Sequence, residues 1–313
     1  MIKEGEHLKG VEPINEKIIK NNDFFKILQN KINDDKKILK YLKKLLNNRD
    51  IIDKSGYSGS STIIVNGDER NLKEVVIKIQ KKDSLKKEYI AYKFFYKNGL
   101  SPKPLKYFEC NNYELMIVEK TNLPMAGKYF NSFEEISKFF GKELRKFHEL
   151  NLAKNKLTKN ERLNFEKKFI DNYKEALNNK SGLIYASMYM EDYDYDAMKK
   201  YLINNKEMLF DDVVLVHGDF NPNNVFIDKD KIQLIDFKDS GFVDRHYDIF
   251  WTMFMIIIFS GILEDKKSIL VCEKIFLDSY GRDIINEKKL DFFKKFACMY
   301  WKRHDEITRI NIL

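Results

Sequence analysis

The chain is short of cysteine, of long apolar runs and of repeats. Its three cysteines, Cys110, Cys272 and Cys298, are odd in number, far apart and outside any C-x-x-C pair. That excludes a disulfide framework and a cysteine-built zinc site, and fits reduced thiols in a cytoplasm. The longest uncharged run, Ile249–Leu263, has 15 residues. It is short for a bilayer and suits a buried helix, so no membrane partner is expected. The N-terminus, MIKEGEHLKG, is charged and is followed by no apolar core, so no signal peptide is expected. No repeat or low-complexity linker interrupts the 313 residues, enough for one large or two modest domains with real cores.

What is present is apolar enough, at 43% hydrophobic and 14% aromatic residues, to fold as a globular protein. The formal net charge of +8 raises the question of nucleic acid. Its distribution answers against it: within 211–248, nine acids face four bases. The positive charge therefore belongs to dispersed helix surfaces, and no nucleic-acid partner is expected.

Periodicity divides the chain. Residues 1–33 read as a polar helical extension broken by Pro13, with Ile18, Ile19, Phe24, Phe25, Ile27, Leu28 and Ile32 as an apolar stripe. An amphipathic helix follows at 34–48. Strand patterns at 51–53, 62–65 and 74–79 surround the turns SGYSGSS and Asn66-Gly67-Asp68, a helix is expected at 83–98, and strands at 105–109 and 113–119 follow the rigid Leu100–Pro104 link. Beyond Pro124 helices are expected at about 133–149, 161–178, 194–206, 249–260, 266–280 and 287–300, interrupted by a β-hairpin over 214–237. The class is α+β, with a small β-rich N-lobe at 34–120 and a larger, mainly helical C-lobe at 121–313. This is the plan of a bilobal protein kinase.

The stretch VLVHGDFNPNNVFIDKDKIQLIDF at 214–237 carries the chemistry. Asp219 follows His217-Gly218, Asn224 comes five residues later, and Asp236 sits in Ile235-Asp236-Phe237. Phosphoryl transfer asks for a carboxylate to orient the acceptor hydroxyl and take its proton, and for a carboxamide and a second carboxylate to hold Mg2+. Asp219, Asn224 and Asp236 supply these in kinase order. His217 pins the loop by hydrogen bonding, His148 makes a structural hydrogen bond, and the Met/Phe stripe at 250–259 is core. Upstream, Lys78 in VVIKI is a strand lysine for nucleotide phosphates, with Glu88 as its helix partner. The alternative is that Lys78 points outward and Glu88 is a surface residue. Ser58, in the Ser/Gly turn, is a candidate phosphate cradle, or the turn is only a hairpin.

These residues resemble the aminoglycoside phosphotransferase family, and within it the 3′-type. The continuation Asp236-Phe237-Lys238-Asp239-Ser240-Gly241 through Asp244-Arg245-His246-Tyr247-Asp248-Ile249 is similar to that family's ID-x3-SG-x2-D-[RK]-x-YDI signature. Phe147-His148 and Leu100–Leu105 resemble two further family segments. The resemblance spans about 34–300. It implies Asp219 as the catalytic carboxylate, Asn224 and Asp236 on magnesium, Lys78 and Glu88 as the phosphate pair, and Ser58 in the phosphate loop. It also implies that Met116–Lys120 is a hinge whose Val118 and Lys120 backbone meets the base of ATP or GTP. Three features depart from the family. Residues 1–33 have no counterpart, Asp239 stands where 3′-enzymes usually carry Arg, and Val76 stands where an aromatic can stack on the base.

An aminoglycoside is a polycation and asks for acids. Glu191, Asp192, Asp194 and Asp196, with Asp239, Asp305 and Glu306, are the candidates; the alternative for the two acidic clusters is solvated loop acids. The expected activity is ATP-dependent O-phosphorylation of a small cationic molecule by a cytoplasmic monomer or dimer, with an aminoglycoside resistance enzyme first. Kinases of choline, an amino sugar or another antibiotic come next, and a non-catalytic kinase-like module last.

Overall fold

The computed structural model describes residues 17–19, 36–46, 49–53, 61–67, 73–81, 85–110, 112–150, 169–178, 194–263 and 265–300. Contacts divide them into two compact units. One comprises the described residues of Glu12–Met125 together with Asn224–Lys238; the other comprises those of 126–223 and 239–300. Asn224–Lys238, expected in the helical lobe, thus belongs with the sheet.

The sheet unit is built on six strands: β1 (Lys17–Ile19), β2 (Ile51–Asp53), β3 (Ser61–Val65), β4 (Val75–Lys81), β5 (Pro104–Glu109) and β6 (Tyr113–Glu119). All pairs are antiparallel, in the order β1-β2-β3-β4-β6-β5. β1 corrects an expectation, since Lys17–Ile19 falls in the proposed helical extension yet pairs with Asp53–Ile51. Three residues with two β-branched side chains complete a sheet edge, a pairing that local helical spacing cannot register.

Strand alternation sets the site. Val75, Ile77 and Ile79 of β4 are buried with Leu115 and Ile117 against Ile38, Leu39, Leu42 and Leu46 of helix α1 (Lys36–Leu46). Lys78, between Ile77 and Ile79, therefore points to the other face. Helix α2 (Leu85–Lys97) carries Glu88 in its first turn. The amide of Leu85, its first residue, donates to Glu114 Oε2 at 2.8 Å, and Glu114 Oε1 accepts the Tyr107 hydroxyl at 2.6 Å. A buried carboxylate from β6 thus caps α2 and fixes where Glu88 starts.

The helical unit holds α3 (Phe133–Glu149), a helical stretch at 169–176, α4 (Tyr195–Asn204), α5 (His246–Phe259), α6 (Lys266–Tyr280) and α7 (Glu287–Tyr300). Helix α3 opens on an N-cap at Ser132: the Glu135 amide donates to Ser132 Oγ, and Glu135 Oε2 accepts the amide of Asn131, one residue before the cap. α3 lies close on α6 because residue 141 is glycine; a Cβ there would sit 2.4 Å from Phe276 O. The apolar run begun at Ile249 lies largely in α5, which is buried on most of its circumference and is a core helix. No described helix is long and apolar enough to cross a membrane.

The hairpin expected over 214–237 is replaced by two ribbons. β7 (Val213–Val216) pairs with β10 (Gly241–Asp244), and β8 (Val225–Asp228) pairs with β9 (Lys231–Leu234). The first belongs to the helical unit and the second to the sheet unit.

Candidate active site

In the sheet unit one ammonium serves two carboxylates. Lys78 Nζ donates to Glu88 Oε1 at 2.7 Å and to Asp236 Oδ1 at 3.0 Å. The Glu88 side chain is 2% exposed and that of Lys78 14%. Burial opposes the charge on Lys78, but Asp236 and then Glu88 outweigh it and hold the ammonium well above the usual lysine range. Burial lifts the Glu88 carboxyl, with Lys78 working against it. Lys78 thus faces the carboxylates, and neither the outward lysine nor the surface glutamate of the alternative reading is found.

Asp236 is held in an unusual backbone state, φ 62°. Its amide donates to Tyr92 Oη at 3.2 Å, and Phe237 stacks on Phe95 and meets Tyr92 edge-on. The ribbon is tied down where the Leu234 amide meets Leu100 O and the Ile235 amide meets Asn224 O. The buried Asn224 thereby begins the ribbon whose far end carries Asp236. One carboxamide and one carboxylate suit a hard divalent cation that keeps phosphate and water oxygens in its shell. Both oxygens of Asp236 already face cations, Lys78 at 3.0 Å and Lys238 at 3.8 Å, as expected of a carboxylate placed to bind positive charge. Among the described residues no group of three His, Cys, Asp or Glu forms an alternative metal cluster.

In the helical unit the loop after β7 is fixed through its backbone. Asp248, buried in the first turn of α5, accepts the His217 amide at 2.7 Å and the Gly218 amide at 2.9 Å. His148 Nε2 lies 3.3 Å from the same carboxylate, and His148 Nδ1 lies 2.7 Å from Tyr280 Oη. An imidazole that donates to Asp248 and accepts from Tyr280 is neutral, and burial pushes its pKa below the usual histidine value despite Asp248. Gly218 has φ 83°, and a Cβ there would come 2.1 Å from Asp239 O, so only glycine fits. The Asp219 amide donates to His217 Nδ1 at 3.2 Å, and Ser240 Oγ donates to His217 O at 2.9 Å. Asp219 Oδ1 accepts Asn221 Nδ2 at 2.7 Å and Trp251 Nε1 at 3.2 Å.

Other expected residues land differently. Ser58, Glu191, Asp192, Asp305 and Glu306 lie outside the described residues. Asp194 caps α4, accepting the amides of Asp196 and Ala197, while Asp196 is exposed in the first turn. Asp239 backs onto Gly218, and its charge helps raise the Tyr247 hydroxyl after burial. Val118 is buried and paired with Val76. The Lys120 amide bears on the hinge. It donates to Glu74 O at 2.9 Å, so β6 pairing continues one residue past the strand and commits that N–H to the sheet. Glu114, Asn221, Trp251 and Lys238 carried no site role in the sequence. Asn221 was within reach of it, since an Asn two residues from an Asp favours local side-chain hydrogen bonding. The others depend on tertiary packing.

The phosphotransferase enzyme family model matches residues 53–264. A probable aminoglycoside 3′-phosphotransferase of Lactococcus lactis subsp. lactis (strain IL1403) is 26% identical over 223 residues, 68% of this chain and 78% of the relative. The amicoumacin kinase hAmiN, solved with AMP-PNP, Ca2+ and Ami, superposes with a TM-score of 0.62 at 13% identity, covering 92% of this chain and 94% of that one. The aminoglycoside phosphotransferase APH(3'')-Id from Streptomyces rimosus gives 0.58 at 15% identity, over 90% and 99%. These likenesses carry the fold, α+β and of the protein-kinase-like kind.

Proposed function

This chain belongs to the phosphotransferase enzyme family and is a small-molecule kinase, and from that premise we propose that it transfers the γ-phosphate of ATP to a hydroxyl of an aminoglycoside. The observation that carries the reading is the Lys78 ammonium held at 2.7 Å from Glu88 and 3.0 Å from Asp236. A cation in that setting binds nucleotide phosphate oxygens while Asp236 offers an oxygen to metal. Asn224 offers a second, neutral oxygen. Magnesium bound there with the nucleotide would neutralise charge as the phosphoryl group moves. Asp219 orients the acceptor hydroxyl and takes its proton late, so an ordinary carboxylate suffices in a loose transition state. The backbone clamp of Asp248 on His217 and Gly218 keeps Asp219 in place. The acceptor class is supported by the 26% identical Lactococcus relative. A place in the cytoplasm, where ATP is available, agrees with three buried cysteines, none in a disulfide.

The test is an ATP-consumption screen across aminoglycosides and small amino alcohols, with Asp219→Ala alongside. Turnover of at least one aminoglycoside is expected, falling about 10²–10⁴-fold in the variant. Turnover confined to amino alcohols would reassign the acceptor. Activity surviving in the variant would remove Asp219 from its role.

A further inference from the structure

Trp251 sits on α5, three residues beyond Asp248 and so on the same side of the helix. Its indole N–H donates to Asp219 Oδ1 at 3.2 Å, and the same oxygen accepts Asn221 Nδ2 at 2.7 Å. The two donors come from different places. Asn221 belongs to the loop itself, and its own amide oxygen is occupied by the Asn223 amide at 2.9 Å. Trp251 belongs to a helix packed into the core of the helical unit, and its ring lies parallel to that of Tyr247, 4° apart in plane with centroids at 6.4 Å. One donor therefore moves with the loop and the other does not.

We propose that Trp251 is a positioning residue for phosphoryl transfer, fixing the plane of the Asp219 carboxylate through Oδ1. The inference rests on the reading of Asp219 as the acceptor-orienting carboxylate. The terminal torsion of an aspartate is soft and roughly two-fold. A donor on the loop alone cannot fix its plane relative to the rest of the unit, whereas a donor on α5 can. The ring has a separate packing role against Tyr247, and phenylalanine would keep that role. Only the N–H serves Asp219. Because the bond is to the reacting group, its loss should appear in kcat and leave substrate binding alone.

Trp251→Phe, Trp251→Leu, Asn221→Ala and Asp219→Asn separate the possibilities. Trp251→Phe is expected to fold with an unchanged melting temperature and to lower kcat about tenfold, the effect of one hydrogen bond to a charged group, with both KM values nearly unchanged. Adding Asn221→Ala to Trp251→Phe should cost little beyond Trp251→Phe itself, since the loop donor alone does not fix the carboxylate plane; a further loss as large as that of Asn221→Ala alone would overturn the proposal. Wild-type kcat in Trp251→Phe beside a damaged Trp251→Leu would show that the ring matters only for packing, and would overturn the proposal while Asp219→Asn stays inactive. Activity in Asp219→Asn would overturn the underlying reading of Asp219, and this inference with it.

Discussion

The two units hold their reactive groups by different physics. In the sheet unit the candidate site residues are charges that lean on one another: Lys78 on Glu88 and Asp236, with Lys238 beside the last. In the helical unit Asp219 is held by neutral donors, and its loop is held by amides on Asp248. Charges can change partners when a charged ligand arrives; hydrogen bonds to a backbone keep a geometry. That suits a division of labour in which one unit takes up nucleotide and the other keeps a carboxylate in place. The comparison breaks if damage to the charged cluster spares nucleotide affinity, or if damage to the loop spoils it.

The largest effect is expected at Lys78. Lys78→Ala leaves Glu88, 2% exposed, without its hydrogen-bonded ammonium. Removing one partner of a buried pair costs about 3–5 kcal/mol in stability, reduced here by the partial exposure of Lys78. The KM for ATP should rise and kcat/KM should fall by more than a hundredfold, on the order of the ~3 kcal/mol carried by charge-assisted phosphate contacts. Steady-state kinetics and urea unfolding read the two losses separately. An unchanged KM for ATP would detach Lys78 from the nucleotide.

Next is Gly218→Ala. The added Cβ would stand 2.1 Å from Asp239 O at φ 83°, so the loop must shift. A displacement of about 1 Å at a catalytic group costs roughly 10²-fold in kcat. The Michaelis constant for ATP should stay near wild type, because Lys78, Glu88 and Asp236 all lie in the other unit. A rise in KM for ATP as large as the fall in kcat would erase the distinction between the units.

How much of this was legible follows the same line. Lys78, Asp219, Asn224 and Asp236 could be singled out in the chain because phosphoryl transfer asks for those residue types in that order, and the structure brings Lys78 onto Asp236. Helices α3, α6 and α7 could be read to within a residue or so, because each buries one stripe. Long-range pairing could not be read. β7 has the apolar pattern of a strand, but nothing in Val213–Val216 shows that its partner is Gly241–Asp244 and not the nearby Val225–Asp228. Nor could the chain show that the Lys120 amide pairs with Glu74 O. The donors on Asp219 follow the same rule. Asn221 is local, but Trp251 is 32 positions away and meets Asp219 only because Asp248, on the same helix, grips the loop.

The smallest effect separates the units by the sign of their response to acid. His148 has a folded pKa below its ordinary value of 6.5, chiefly through burial. Above 6.5 its contribution to stability is complete. As pH falls below 6.5 the unfolded chain takes up a proton that the folded one refuses, so stability falls until the folded pKa is passed. Glu88 behaves in the opposite way. Its folded pKa is raised from 4.5 by burial, so its contribution is complete below 4.5 and is lost as pH rises through the folded value. Acidification from pH 7.5 to 5.5 should therefore weaken the helical unit, by at most about 1.4 kcal/mol per pH unit for one proton, and not weaken the sheet unit through Glu88. Thermal unfolding followed across that range should show a declining midpoint for the wild type and a flatter profile for His148→Asn, whose side chain does not titrate there. An equal slope in both proteins would place the acid sensitivity elsewhere, and would leave the neutral imidazole between Asp248 and Tyr280 as a matter of geometry alone.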